Sequence, residues 1–234
     1  AQKSRRSQFT GALWNVDKIF CLSDWHINNH LDIYKLKKDE NAFFKTSNGI
    51  KLLQPNTNIV KKNQVVYTNR PERGMDILLY NILPLLWEKD QEIEVVIAGY
   101  DNTVAEMQTY YDTLNKTIDA YALKGFKIKH VGALTKKNLY QLYQESKLFL
   151  YPTNFYETSC ITAMETQMCG LPMITSNKGA LPETLCNEAG LIIDGDAQSP
   201  EYHKAFVNGA WELMNDDVAY KKCQKAGYDY VKQY

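Results

Sequence analysis

The chain lacks any run of eighteen apolar residues, which excludes a membrane-spanning helix. No signal-peptide pattern opens it. It also lacks a charge excess: Lys+Arg and Asp+Glu each total 27, so nothing points to nucleic acid or an anionic membrane as a partner. Its five cysteines are odd in number and show no zinc or redox spacing, so reduced thiols and a cytoplasmic location are expected. There is no internal repeat and no low-complexity tract. No initiator Met precedes "AQKSRRSQ", which opens mid-pattern, so a fragment, a processed product or a trimmed form is expected.

What is present reads as a globular chain of 234 residues, 44% hydrophobic and 23% charged. Short apolar runs alternate with helical patterns. "NVDKIFCLS", "QVVYTN", "IEVVIAG", "FKIKHVG", "KLFLYP", "LPMITS" and "GLIID" read as strands. Amphipathic stretches follow most of them, including Asp24 to Leu36, "GMDILLYNILPLLWEKD", Val104 to Leu123, "KKNLYQLYQES" and "CITAMETQMCG". Two helices split near Asn215 to Asp217 close the chain. Continuous apolar strands alternating with helices predict an α/β fold, a Rossmann-like doubly wound parallel sheet covered on both faces. The stretch from Lys38 to Asn63 is turn-rich ("SNGI", "QPNTN") and reads as a linker. Residues 1–45 are expected to form one βα unit plus linker, and residues 46–234 the main domain.

In an open parallel sheet, ligands bind at the carboxyl ends of the strands. The first strand of the main domain ends in Asn69-Arg70-Pro71-Glu72-Arg73-Gly74. Two others end in Gly99 and Gly132, and a fourth runs into Thr153 to Cys160 and a helix. Arg70, Arg73 and the helix N-terminus at Thr158, Ser159 and Cys160 together suit a phosphate or diphosphate. Arg70 and Arg73 also read, more simply, as solvated loop charges. Glu157 and Glu165 have seven residues between them. Eight helical steps bring a side chain back to within roughly 80° of its start, so both carboxylates can face one cleft. Carboxylates accept hydrogen bonds from hydroxyls, as on a sugar and a ribose. Taken alone, Glu157 also reads as a helix cap and Glu165 as a surface charge.

The stretch "YPTNFYETSCITAMETQMCGLPMITSNKGALPET" resembles the nucleotide-sugar-binding signature of retaining GT-B glycosyltransferases, family 4, the glycosyl transferases group 1 domain. Glu157 and Glu165 match its paired glutamates, Gly170 and Pro172 its turn, and Gly179 and Glu183 its last element. "RPERGMDILL" is similar to the family's phosphate-contacting "PEKG" region, with Arg73 in the Lys position, and "NGI" at Asn48 to Ile50 to its interdomain "NGID". The resemblance covers essentially the whole chain. It implies the C-terminal donor-binding domain of such an enzyme, preceded by a remnant of the N-terminal domain. It implies sugar transfer from a nucleotide diphosphate donor, GDP-mannose or a UDP-sugar, with retention of configuration and without a metal. Catalytic roles fall to Glu157 and Arg73. Donor contacts fall to Arg70, Arg73, Gly99, Gly132, Glu157, Thr158, Ser159, Cys160 and Glu165. A glycan or lipid-linked acceptor and peripheral membrane contact are expected, with the missing N-terminal domain supplied by the same protein or a partner.

The sequence departs from the family in several places. Thr158-Ser159-Cys160 replaces Gly-Phe-Gly, and Thr68 and Asn69 occupy the site of an Arg, with Arg70 displaced. "AGYDN" lacks the family's second glycine. A different reading is a nucleotide-sugar-binding module without its own catalysis, acting beside a partner that carries the acceptor domain. A third, an unrelated doubly wound domain such as a regulatory receiver, is opposed by the ordered motifs. "DGD" at Asp194 to Asp196 reads as a turn rather than a metal motif. His26 and His30, four apart on a helix, show no third metal ligand. His130 ends a strand near the donor edge, and Cys160 has no evident His partner for nucleophilic chemistry.

Overall fold

The computed structural model describes residues 15–36, 42–54, 59–99 and 104–234. Strand β1 (Ile19–Cys21) leads into helix α1 (Asp24–Tyr34), and β2 (Phe43–Lys45) pairs parallel with β1. Six further strands follow: β3 (Gln64–Tyr67), β4 (Glu94–Ile97), β5 (Ile128–His130), β6 (Leu148–Tyr151), β7 (Met173–Ser176) and β8 (Gly190–Ile193). They form one sheet in the order β5-β4-β3-β6-β7-β8, every pair parallel. The order grows outward in both directions from β3 and β6. With right-handed crossovers, the two halves place their helices on opposite faces. The crevice at the carboxyl ends of β3 and β6 is therefore the topological switch point.

The central strands are apolar on both faces because both faces are covered. All four residues of β3, β6 and β7 are buried. Tyr67, Phe149 and Tyr151 pack ring against ring across β3 and β6. The helices after β3 are α2 (Met75–Ile77) and α3 (Leu83–Lys89), joined by a π turn at Leu78–Ile82. The sequence pattern predicts one continuous helix there. Pro84 has no N–H to donate, and the ladder widens just before it, with the Leu83 N–H on the Leu78 carbonyl. The remaining helices are α4 (Gln108–Leu123), α5 (Lys136–Glu145), α6 (Ile161–Met168), α7 (Leu181–Thr184), α8 (Pro200–Asn215) and α9 (Asp217–Val231).

Two further elements depart from the sequence reading. Strand β2 lies inside the stretch expected to be linker, and the four-residue α7 follows Gly179 where no helix was expected. Tyr100 to Asn102, most of "QPNTN", most of "KLKKDE" and residues 1–14 lie outside the described residues.

Candidate functional site

The switch-point crevice is built by two close backbone approaches. Gly74 holds φ +119°, and a Cβ there would sit 1.9 Å from the Pro152 carbonyl oxygen. Only glycine lets the turn at Pro71–Arg73 press against the end of β6, which puts Arg73 beside the loop after that strand. Gly179 holds φ +60°, and a Cβ there would lie 2.3 Å from the Glu157 carbonyl oxygen. The next residue, Ala180, donates its N–H to that same oxygen at 2.7 Å. Two separate turns thus clamp the segment carrying Glu157.

Glu157 is buried, and its carboxylate is held by two side chains. Arg73 Nη1 donates to both oxygens at 3.0 and 3.3 Å, and the Tyr151 hydroxyl donates to Oε1 at 2.7 Å. The Arg73 guanidinium also lies over the Phe155 ring, 4.1 Å from its centroid. Burial, the largest single influence, opposes the Arg73 charge, but Glu157, Tyr151 and Glu72 together outweigh it and keep the guanidinium protonated. Asn69, Arg70, Arg73, Glu157, Ser159, Cys160, Ile161 and Thr162 line a cleft of about 210 Å³. Arg70 ion-pairs with Glu72, whose other oxygen accepts from the Tyr111 hydroxyl. Cys160 is the N-cap of α6, and its side chain makes no capping hydrogen bond. Burial, then the Glu157 charge, pushes its thiol up to about 12, so it stays protonated and is no nucleophile at neutral pH.

Glu165 is equally buried but faces another way. Its Oε1 accepts from the Tyr140 hydroxyl at 2.8 Å and pairs with Lys136, both on α5. A second cleft of about 170 Å³ opens beside it, lined by Thr68, Ala98, Gly99, Ala133, Leu134, Lys136 and Leu139. Glu157 lines the first cleft, whereas Glu165 lines neither and meets the second only through its partner Lys136, so the two carboxylates do not face one cleft as the sequence suggests. Thr68 and Asn69, consecutive at the end of β3, line one cleft each.

The predicted residues divide accordingly. Arg70, Arg73, Glu157, Ser159 and Cys160 come together in the first cleft, and Gly99 lines the second. Thr158 lines neither; its carbonyl accepts from the Ser23 hydroxyl of the N-terminal unit at 2.8 Å. Gly132 lines neither, and its carbonyl accepts the Gly99 N–H at 3.0 Å. The His130 ring packs where a Cβ on Gly99 would reach. Asp194 and Asp196 sit in a turn around Gly195 (φ +112°), where they accept from Asn177 and from the Gln198 N–H. Tyr151, Lys136 and Tyr140 were not singled out by the sequence, and Asn69, placed by it at the site of the family's Arg, was given no role. Tyr151 ends β6, Asn69 follows β3, and Lys136 and Tyr140 lie on α5, and no spacing signals them.

Cys21 supplies the third residue that the His26–His30 pair lacks in the sequence, with ligand atoms within 4.8 Å of one another. The His26 Nδ1, however, accepts the Leu22 N–H at 3.2 Å. A neutral ring accepting at Nδ1 carries its proton on Nε2 and cannot ligate through that atom. The cluster is not a ready metal site.

The family model described as Glycosyl transferases group 1 matches residues 51–230. The O-antigen chain mannosyltransferase B of Escherichia coli is 28% identical over 149 residues, covering 62% of this chain and 36% of that protein. Among solved structures, the sucrose-phosphate synthase of Thermosynechococcus elongatus superposes with a TM-score of 0.77 at 18% identity, covering 99% of this chain and 57% of that one. A mutant of S. aureus TarM, solved with fondaparinux, alpha-GlcNAc-glycerol and UDP, gives 0.75 at 17% identity, over 95% and 42%. These likenesses are of fold, the GT-B type. The chain spans about a third of the length of the curated mannosyltransferase it matches. With the family model covering most of its length and the strand order of a doubly wound sheet behind it, this chain belongs to the glycosyl transferases group 1 family.

Proposed function

We propose that this chain is the donor-binding half of a retaining glycosyltransferase that takes a hexosyl group from a nucleotide diphosphate sugar. The observation that carries the reading is the Arg73–Glu157 pair at the switch point, locked by Tyr151 and lining a cleft with the start of α6. When the glycosidic bond to the diphosphate breaks, negative charge grows on the leaving phosphate oxygens. Arg73 and the α6 N-terminus would stabilise it there, with no reorganisation at the moment of reaction. The protein supplies that positive charge itself, and we assign the reaction no metal. Glu157 would accept hydrogen bonds from the sugar hydroxyls and fix the anomeric carbon. Glu165 would accept from the ribose hydroxyls, with Lys136 and Tyr140 holding its carboxylate in place. The acceptor, a glycan or lipid-linked sugar, would approach across the open side of the first cleft.

GDP-mannose is the donor we favour, because the curated relative is a mannosyltransferase. A UDP-sugar is the other donor, in keeping with the UDP-bound relative of like fold. Retention rests on the family's signature around Glu157 and Glu165. Among the described residues no helix is long and apolar enough to cross a membrane. The assignment of Glu165 is tested by calorimetry. Glu165→Ala should weaken GDP-mannose binding about tenfold, the worth of one buried hydrogen bond to a charged acceptor. A folded Glu165→Ala protein that binds with wild-type affinity would contradict it.

A further inference from the structure

Asn69 ends β3, is 6% exposed, and lines the first cleft with Arg73 and Glu157. Its Oδ1 accepts from the Thr162 hydroxyl at 2.9 Å. Its Nδ2 has no partner; among the described residues it is the one buried side-chain nitrogen or oxygen without a hydrogen bond. An amide NH₂ carries two donors, and leaving them dry inside a protein costs free energy. Such an atom in a native fold calls for something to pair with it.

The surroundings say what that something is. Thr162 holds the amide oxygen, which leaves the NH₂ as the end of the side chain still seeking a partner. Glu157 is no such partner: it lines the same cleft, yet no hydrogen bond joins it to the Asn69 amide. The same cleft holds the Arg73 guanidinium and the opening residues of α6, an arrangement that favours an anion. Resting on the donor-site reading above, we propose that Asn69 is a further donor-binding residue. Its amide NH₂ donates to the diphosphate of the nucleotide sugar, and Thr162 is the positioning residue that keeps the NH₂ toward the anion. The site then reads its phosphates with the Arg73 cation and an oriented neutral amide. A neutral donor does not attract anions from solution, but it recognises phosphate oxygens once they arrive. Thr162 lies in the first turn of α6, so the orienting hydroxyl and the helix N-terminus are set by one element.

The test is titration of GDP and guanosine into the full chain, with UDP and uridine replacing them if UDP binds wild type more tightly. Nucleoside binding is followed by ligand-observed NMR and diphosphate binding by calorimetry. Asn69→Ala should weaken GDP about tenfold or more and leave guanosine unchanged. Asn69→Asp keeps the shape, reverses the electrostatics, and should weaken GDP further. Thr162→Val should weaken GDP a few-fold, again sparing guanosine. Because Asn69→Asp and Thr162→Val are near-isosteric, they carry the test if Asn69→Ala fails to fold. Wild-type affinity for GDP in Asn69→Ala, or equal losses for GDP and guanosine, overturns the role of Asn69 while leaving the donor site standing. If wild type binds neither GDP nor UDP, the donor-site reading falls and this inference with it.

Discussion

Gly179 carries a constraint that no other residue type meets. Its φ of +60° and the 2.3 Å approach to the Glu157 carbonyl oxygen leave no room for a side chain. Gly179→Ala should lower stability by about 1–3 kcal/mol in denaturant melts, from left-handed strain and a displaced loop. Because the displaced loop carries Glu157, nucleotide-sugar affinity should fall as well. Unchanged stability and affinity would mean that the loop yields without moving the carboxylate. Among single residues, the sequence was legible where a motif fixes a residue's neighbours along the chain. Arg73 and Glu157 line one cleft and Gly99 the other, because strand ends and a helix start place them there. Lys136 was illegible because it meets Glu165 through a contact between helices, and Tyr151 because its bond to Glu157, six residues on, depends on the path of the irregular loop between them. Thr158 was assigned to the cleft by its neighbours, and its carbonyl instead meets Ser23.

Helix α1 is tied to the main domain by its N-terminus. Ser23 caps it, accepting from the His26 N–H, and the Glu183 carboxylate accepts the Asp24 and Trp25 N–H groups at 2.8 and 2.7 Å. Trp25 stacks on Tyr156, next to Glu157, with ring planes 6° apart. No residue of α1 is buried, so these end contacts do much of its anchoring. Glu183→Ala should remove two of the helix's first-turn partners and about 1 kcal/mol of local stability. Hydrogen exchange at the α1 amides should speed up accordingly, and unaltered protection would contradict that anchoring role. The resemblance marks Glu183 as the end of a motif, but its partner lies about 160 positions earlier, beyond any local pattern. Strand β2 was likewise hidden. Three residues that pair only with β1 have no amphipathic period to read.

Over the whole molecule, the parallel sheet was legible because buried strands are apolar throughout and helices alternate with them. The packing between helices was not, and Lys61 shows it. Its ammonium reaches the Gly170 and Tyr143 carbonyls at 3.1 and 3.3 Å, and burial depresses it to about 8. Between about pH 8 and its ordinary 10.5, the unfolded chain holds a proton on Lys61 that the folded chain has lost. Lys61 therefore contributes stability that rises with pH across that window and is flat below it. The buried thiols of Cys160 and Cys169, held up near 12, pull the other way there. The signal is the difference between wild type and Lys61→Met. Urea melts at pH 7.5 and at about pH 9.5, below the range where unfolded tyrosines ionise, should show wild type gaining on Lys61→Met. A constant difference between the two would contradict the depressed ammonium.

The functional reading stands or falls on whether a nucleotide diphosphate sugar binds at the β3–β6 switch point through Arg73. Calorimetric titration of GDP-mannose, and of UDP-sugars in parallel, into wild type and Arg73→Ala decides it. Wild type should bind at least one of them. Arg73→Ala should bind it about tenfold or more weakly, from the loss of a charged hydrogen bond to the diphosphate, and the gap should narrow at high salt. Equal affinity in the two proteins, or no binding of any nucleotide sugar by wild type, would contradict it.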